Sequence, residues 1–204
     1  MTRKGAIIEL LIVTVGVLIA LSFDSVREWR SNDALAAEAR ANLRNEIEQN
    51  KKQLDQTLTH MAVNEKDYLM AHKGAENLLA GKPFGTDKVN LSTRLAILSV
   101  AAYETAEITG AFRYMDYDEV RRFAGLYDLQ AKYAALQDES VASSGLLGAP
   151  VRLADGPDRL SRPELEEWKR GLANAIGVLT VQGQIGTLLS QSYGAFLKDA
   201  ESDE

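Results

Sequence analysis

The chain has no cysteine. That excludes a disulfide framework and a thiolate metal site. Histidine occurs twice, as His60 and His72. On a helix these lie far outside the i, i+3 or i+4 spacing that lets two imidazoles share a metal. There is no basic excess: 23 Lys and Arg stand against 29 Asp and Glu, a formal net charge of −6, and the signs are mixed along the chain. Without a basic stripe, nucleic acid is excluded as a partner class. No stretch alternates with period two, so no sheet is expected. No repeat appears at the usual periods. Neither a G-x-x-x-x-G-K-[ST] phosphate loop nor a G-x-S-x-G elbow is present. Catalytic residues, cofactors and metal ligands are therefore not assigned, and the chain does not read as an enzyme.

With only four prolines and abundant Ala, Leu, Glu, Lys and Gln, the fold class is all-α. The organising stretch is Gly5 to Phe23, in which Glu9, Thr14 and Ser22 are the hydrophilic residues after Gly5. At about 1.5 Å per residue, residues 6–23 span about 27 Å as a helix, close to the hydrocarbon thickness of a bilayer. The reading is a stub at 1–5, a transmembrane helix at 6–23, a helical bundle domain at 24–200 and an acidic tail at 201–204. A cleaved signal peptide is the rival: Arg3 and Lys4 make a basic n-region, and Ala20-Leu21-Ser22 has the small-x-small form. Against it stand Glu9 inside the run and the lack of any Pro or Gly before the charged, helix-forming sequence that follows. The basic residues on the two sides of the span do not decide the orientation. A short head and a long C-terminal domain favour the N-terminus inside.

Within the span, Glu9, Val13, Gly16 and Ala20 share one helix face. Gly16 and Ala20 are a small-x-x-x-small pair that lets two helices approach in lipid. An acid within a span faces protein or water. This face is expected to meet another transmembrane helix, of a second copy or of a partner subunit.

The sequence from Asp24 to Leu79 continues as one long helix. Trp29 sits where an indole suits the membrane interface. Ile47, Leu54, Met61, Tyr68 and Ala75 recur every seven residues, and Leu43 and Leu58 fall beside them. This is a narrow seam at heptad spacing. Gly81 to Asp87 breaks the helix. A second helix is expected over Leu91–Thr109, with Leu91, Leu95, Leu98, Ala102, Thr105 and Ile108 on one face, Asn90 or Ser92 as N-cap and Gly110 at C′. A third opens at Asp116 with Glu119 at capping-box spacing. Its face is Val120, Phe123, Ala124, Tyr127, Ala131 and Ala134, and it fades near Ser143. Gly145 to Pro157 reads as a loop. Ser161-Arg162-Pro163-Glu164 starts a last helix, with Leu165, Trp168, Leu172, Ile176, Leu179, Leu188, Ser192 and Phe196 inward. The expected assembly is an antiparallel bundle of the long helix with about three others.

Other chemistry reads better as packing. Glu104 and Glu107 form an i, i+3 pair that could hold a cation, but no Glu-x-x-His partner exists. Gly183 and Gly186 suit close helix packing. Tyr114, Tyr117, Tyr127 and Tyr133 could line a pocket, with core packing the simpler account.

Thr14-Val15-Gly16-Val17-Leu18-Ile19-Ala20-Leu21 followed by Trp29, and Ala102-Tyr103-Glu104-Thr105-Ala106 through Thr109-Gly110-Ala111 and Tyr114-Met115-Asp116, together resemble uncharacterised bacterial single-span membrane proteins. Tyr103 stands where that family usually has Trp. The resemblance covers roughly the first 135 residues in pieces. It implies a membrane-anchored helical domain of unknown function and carries no catalytic residue over; the expected location is the bacterial inner membrane. Two functions follow as expectations. One is an interaction or scaffold protein that self-associates or serves a membrane complex. The other is a periplasmic sensor or small-ligand-binding bundle acting through a partner. A cytoplasmic part of a few residues favours the first.

Overall fold

A computed structural model describes the backbone of residues 3–85 and 90–202, and side-chain surroundings for residues 16, 27–85 and 90–199. Among the described residues there is no strand, and the elements are helices α1 (Arg3–Leu79), α2 (Ala101–Thr109), α3 (Tyr117–Leu153) and α4 (Arg162–Ser202), with 3-10 turns at Ala111–Tyr114 and Pro157–Arg159. Helix α1 passes Ser31 to Asp33 without a break. It ends in a Schellman motif: Gly81 has φ +73°, its N–H reaches the Leu78 carbonyl, and the Lys82 N–H reaches that of Asn77. A left-handed residue there satisfies the last carbonyls at no cost to a glycine.

The chain divides into two compact units, residues 1–43 with 101–120 and residues 44–100 with 121–204. In the first, α2 ends at Thr109 and Gly110 turns the chain with φ +75°. Tyr103 and Phe112 meet in a tilted pair, 5.2 Å between ring centroids and 52° between planes. Glu119 does not close the expected capping box. It takes a two-point bond from Arg40, at 2.7 and 3.0 Å, and a charged partner outranks a terminal N–H. That pairing holds the Arg40 guanidinium above its ordinary pKa.

The second unit contains three helical segments whose buried positions follow a heptad. Ile47, Asn50, Leu54, Thr57, Met61, Tyr68, Ala71 and Ala75 are buried on α1, and Phe123, Leu126, Gln130, Tyr133, Gln137, Ser140 and Leu147 on α3. On α4 the set is Leu165, Trp168, Leu172, Ala175, Leu179, Gln182, Gly186, Leu189 and Tyr193. Steps of three and four place each set on one stripe. Two expected faces shift accordingly. On α3, Ala131 and Ala134 are exposed, and the larger Tyr133 with Gln130 and Gln137 takes the inside. On α4, Leu188 is half-exposed, and Leu189 and Tyr193 are inside. Gly186 lies under Tyr133 and Leu58, where a Cβ would come within 2.8 Å of the tyrosine ring.

Partner order shows that the fully antiparallel arrangement does not hold here. Glu46 pairs with Tyr127 and Asn50 with Gln130, so these parts of α1 and α3 run the same way. Helix α4 runs against both: Lys169 meets Glu76, Ser190 meets Asp55, Trp168 meets Leu147 and Tyr193 meets Gln130. The return from α1 to α3 is an extended strap at 90–100, not the first half of a helix. From Leu91 to Ser99 an extended chain advances about 26 Å at about 3.3 Å per residue. From Tyr68 back to Asn50 a helix covers about 27 Å at about 1.5 Å per residue. The match lets the strap retrace α1 alongside it. Asn90 caps no helix; its side chain accepts the Ser92 N–H in a local turn at 3.0 Å.

The stretch read as a loop from Gly145 is helical to Leu153, with Pro150 in the last turn. Leu147 holds it there, buried on its stripe and accepting the Trp168 indole N–H at 3.1 Å. The start of α4 forms one arm of the expected capping box: the Glu164 carboxylate accepts the Ser161 N–H at 2.7 Å, while the Ser161 hydroxyl donates to the same carboxylate at 2.6 Å in place of accepting a helix N–H.

Candidate functional site

The most chemically specific part of the second unit is the seat of the strap. A main chain lying on protein must find partners for its N–H and C=O groups. Here amide side chains supply them. Gln137 accepts the Ala96 N–H at 2.7 Å and donates to the Ala96 carbonyl at 3.0 Å. Asn50 treats Ser99 the same way, both bonds at 2.8 Å. Gln130 donates a second bond to the Ser99 carbonyl at 2.9 Å. Farther along, Asn64 donates to the Ser92 carbonyl at 2.9 Å and the Tyr68 hydroxyl to that of Leu91 at 3.0 Å. Asn50, Asn64 and the two glutamines all stand on heptad positions, so α1 and α3 carry amides where a helical partner would require apolar side chains. An amide offers a donor and an acceptor in one plane, the pattern that a single residue of extended chain presents.

Behind these clamps lies a polar core. The Glu46 carboxylate accepts the Tyr127 hydroxyl at 2.6 Å and the Ser99 hydroxyl at 2.5 Å. The Tyr193 hydroxyl donates to Gln130 Oε1, which also accepts from Asn50 at 3.2 Å. Burial and the nearby Glu46 charge push the Tyr193 phenol well above its usual range, so it is a donor at any ordinary pH. Burial raises Tyr68 and Tyr133 in the same way. Ser140 donates to Gln182 at 2.5 Å. On the flank, burial pushes the Asp55 carboxyl up, but bonds from Lys51 and Ser190 outweigh it and leave the group below its ordinary value. The Tyr127 and Ser99 hydroxyls share the Glu46 carboxylate, and the amides of Asn50, Gln130 and Gln137 grip the strap. The arrangement holds main chain.

A groove of about 500 Å³ runs between α1 and α4, lined by residues including Leu58, Met61, Glu65, Gly183, Thr187 and Leu188. In the first unit, Glu28, Trp29, Asn32, Asp33 and Tyr114 line a hollow of about 400 Å³.

Of the residues singled out from sequence, Leu43, Ile47, Leu54, Met61 and Tyr68 are buried and Leu58 is half-buried against the second unit's core. Glu9, Val13 and Ala20 lie outside the described side chains. Gly16 is exposed, and a Cβ there would meet nothing. Glu104 and Glu107 are both exposed. His60 contacts Arg94 at the surface. Tyr114 and Tyr117 are exposed, whereas Tyr127 and Tyr133 are buried. Among the described residues no group of three His, Asp or Glu side chains converges as a metal site requires. The amide clamps escaped sequence reading. Their signal is Asn50, Thr57 and Asn64 at seven-residue intervals beside the apolar seam.

Of the described helices, the one over Arg162–Asp199 is long and apolar enough to cross a membrane by length and composition, the same test a core helix passes. Its apolar stripe is already packed on α1 and α3. No protein-family model, characterised protein or solved structure matches the chain.

Proposed function

We propose that this is a membrane-anchored helical interaction protein: residues 6–23 span the membrane, and the helical part that follows binds a second copy or a subunit of a membrane complex. The membrane is taken as the bacterial inner membrane, and the short head before the span favours a cytoplasmic N-terminus with the bulk of the chain periplasmic. The observation that carries the interaction reading is the outer face of α4. Asn174, Gly177, Thr180, Val181, Gln184, Thr187, Leu188 and Gln191 are exposed, and no charged residue occurs between Arg170 and Lys198. A solvated helix face normally carries charge, and its loss is a mark of contact surfaces. The anchor reading is supported by α1, one uninterrupted helix that contains both the apolar run and the seam. The alternative, a small-ligand sensor, draws on the groove of about 500 Å³ beside the same face. Its openness to solvent makes it a better seat for a helix than for a small molecule.

The test is alkaline extraction of membranes followed by native mass measurement in mild detergent. The chain is expected to stay with the membrane, to retain residues before Phe23, and to run as a complex. Gly16→Leu on the proposed span face should dissociate that complex without preventing insertion. A soluble product beginning at Phe23 would overturn the anchor. A monomer with no partner in detergent would overturn the interaction reading.

A further inference from the structure

The strap's clamps touch main chain, and most of its side chains point away. Ala96 is buried at 4% exposure, while Ile97 is 80% exposed and Leu95 and Val100 are nearly half-exposed. Ala96 is enclosed, Leu91 packs half-buried against the second unit's core and Leu98 is half-buried, while the other apolar side chains of residues 90–100 face outward. Gln137, Asn50, Gln130, Asn64 and Tyr68 bond its backbone atoms, and two of its side chains add contacts, Ser99 to Glu46 and Arg94 to His60. Any extended chain carries the same backbone atoms. An empty seat would strand the Gln137 amide and the Gln130 Nε2 group, although Gln130 Oε1 keeps Tyr193 and Asn50; that is costly, but replacing one extended chain by another conserves every bond to the main chain.

We propose that the channel between α1 and α3 in the second unit is a receptor for an extended peptide segment of a partner protein, occupied here in cis by the chain's own strap. This deepens the interaction reading by naming the kind of partner. The seat also sets a recognition rule. The position held by Gln137 takes a small residue, because Ala96 is enclosed. Neither that position nor the one held by Asn50, three residues on, accepts proline, because each must give an N–H. The second position takes a hydroxyl residue, because the Ser99 Oγ donates to Glu46. The partner is thus an unstructured segment of the form small-x-x-Ser or small-x-x-Thr, with free choice at the outward positions.

The probe is a fluorescent peptide of residues 91–100, LSTRLAILSV, titrated by anisotropy into the full chain in detergent. A second peptide carries Ala96→Pro and Ser99→Pro, and a third carries Leu95→Ser and Ile97→Ser. The first peptide is expected to bind saturably, the second to lose more than about tenfold in affinity, and the third to stay within about threefold. A host chain with Ala96→Pro, whose own strap cannot close the Gln137 clamp, should bind the first peptide about tenfold tighter, since a competing occupant is weakened. If that host loses its helical circular dichroism, the peptides against the unmodified chain decide by the same criteria. Absence of saturable binding, or equal binding of the first and second peptides, would show that the strap is a permanent part of the core. Neither result depends on membrane retention or native mass, so this proposal can fail while the anchored interaction reading stands.

Discussion

Gln137→Leu separates the clamp from mere space-filling. The side chain is 7% exposed and makes two bonds, to the N–H and C=O of Ala96, itself 4% exposed. Leucine has nearly the same volume, so the change opens no large cavity. It leaves one donor and one acceptor without partners where water enters only if the strap lifts. Each stranded group costs about 1–3 kcal/mol, or about 2–6 kcal/mol for the pair. Removing the buried amide, which no longer needs desolvation, offsets part of this. Relief by partial lifting of the strap lowers it further. The expected loss is about 2–4 kcal/mol. Urea unfolding followed by helical circular dichroism should show it as a lower midpoint at unchanged slope. Hydrogen exchange should place the effect locally, with the Ala96 amide losing protection more than amides within α4. A loss within about 0.5 kcal/mol, the range of ordinary surface changes, would refute the clamp, as would unchanged exchange at Ala96.

Three further outcomes are expected. Leu54→Ala, at a fully buried heptad position, should cost about 2–5 kcal/mol, while Lys52→Ala on the exposed face should stay within about 0.5 kcal/mol; similar melting shifts for both would contradict the seam. Gly186→Ala should destabilise by about 1–3 kcal/mol, because its Cβ meets Tyr133 and Leu58. Gly177→Ala, where a Cβ meets nothing, should stabilise by about 0.5–1 kcal/mol, and a common sign in thermal melts would contradict the packing of α4. Asp55 is held below its ordinary pKa in the folded chain, so its contribution is present above the unfolded value near pH 4 and is lost as pH falls through the folded value. Asp55→Asn should therefore narrow the fall in melting temperature on acidification, and an identical acid profile for both chains would remove Asp55 from that account.

What sequence reading reaches depends on whether the deciding contacts are near in the chain. The cap at Ser161 and Glu164 is local, and the structure pairs the two residues, with the Glu164 carboxylate accepting the Ser161 N–H. The spacing of Ile47, Leu54, Met61, Tyr68 and Ala75 needs only a helix and a neighbour, and all five are buried. The second half of α4 is harder. Its stripe continues through Gln182 and Gly186 before Leu189, and two non-hydrophobic positions in succession draw the eye to Leu188. Pro150 and the glycines near it suggest a loop because their propensities are poor. The Leu147 carbonyl and the Trp168 indole override that prior through a contact between two helices.

The strap shows where local reasoning ends. Leu91, Leu95 and Leu98 have helical spacing, and nothing within residues 90–100 forbids a helix. The cause of its extension lies elsewhere, on Asn50, Gln130 and Gln137. Amides at heptad positions against a helix would be buried without partners, since that helix already satisfies its own backbone. Against an extended chain the same amides are fully used. The extended chain in turn has no ladder of its own and is stable on protein only where side chains replace one. Stripe and strap are thus two halves of one requirement. The sequence cue for the non-helical segment is the polar residue at every seventh position of the helices that hold it, and a search for such cues belongs on the partners of a segment as much as on the segment itself.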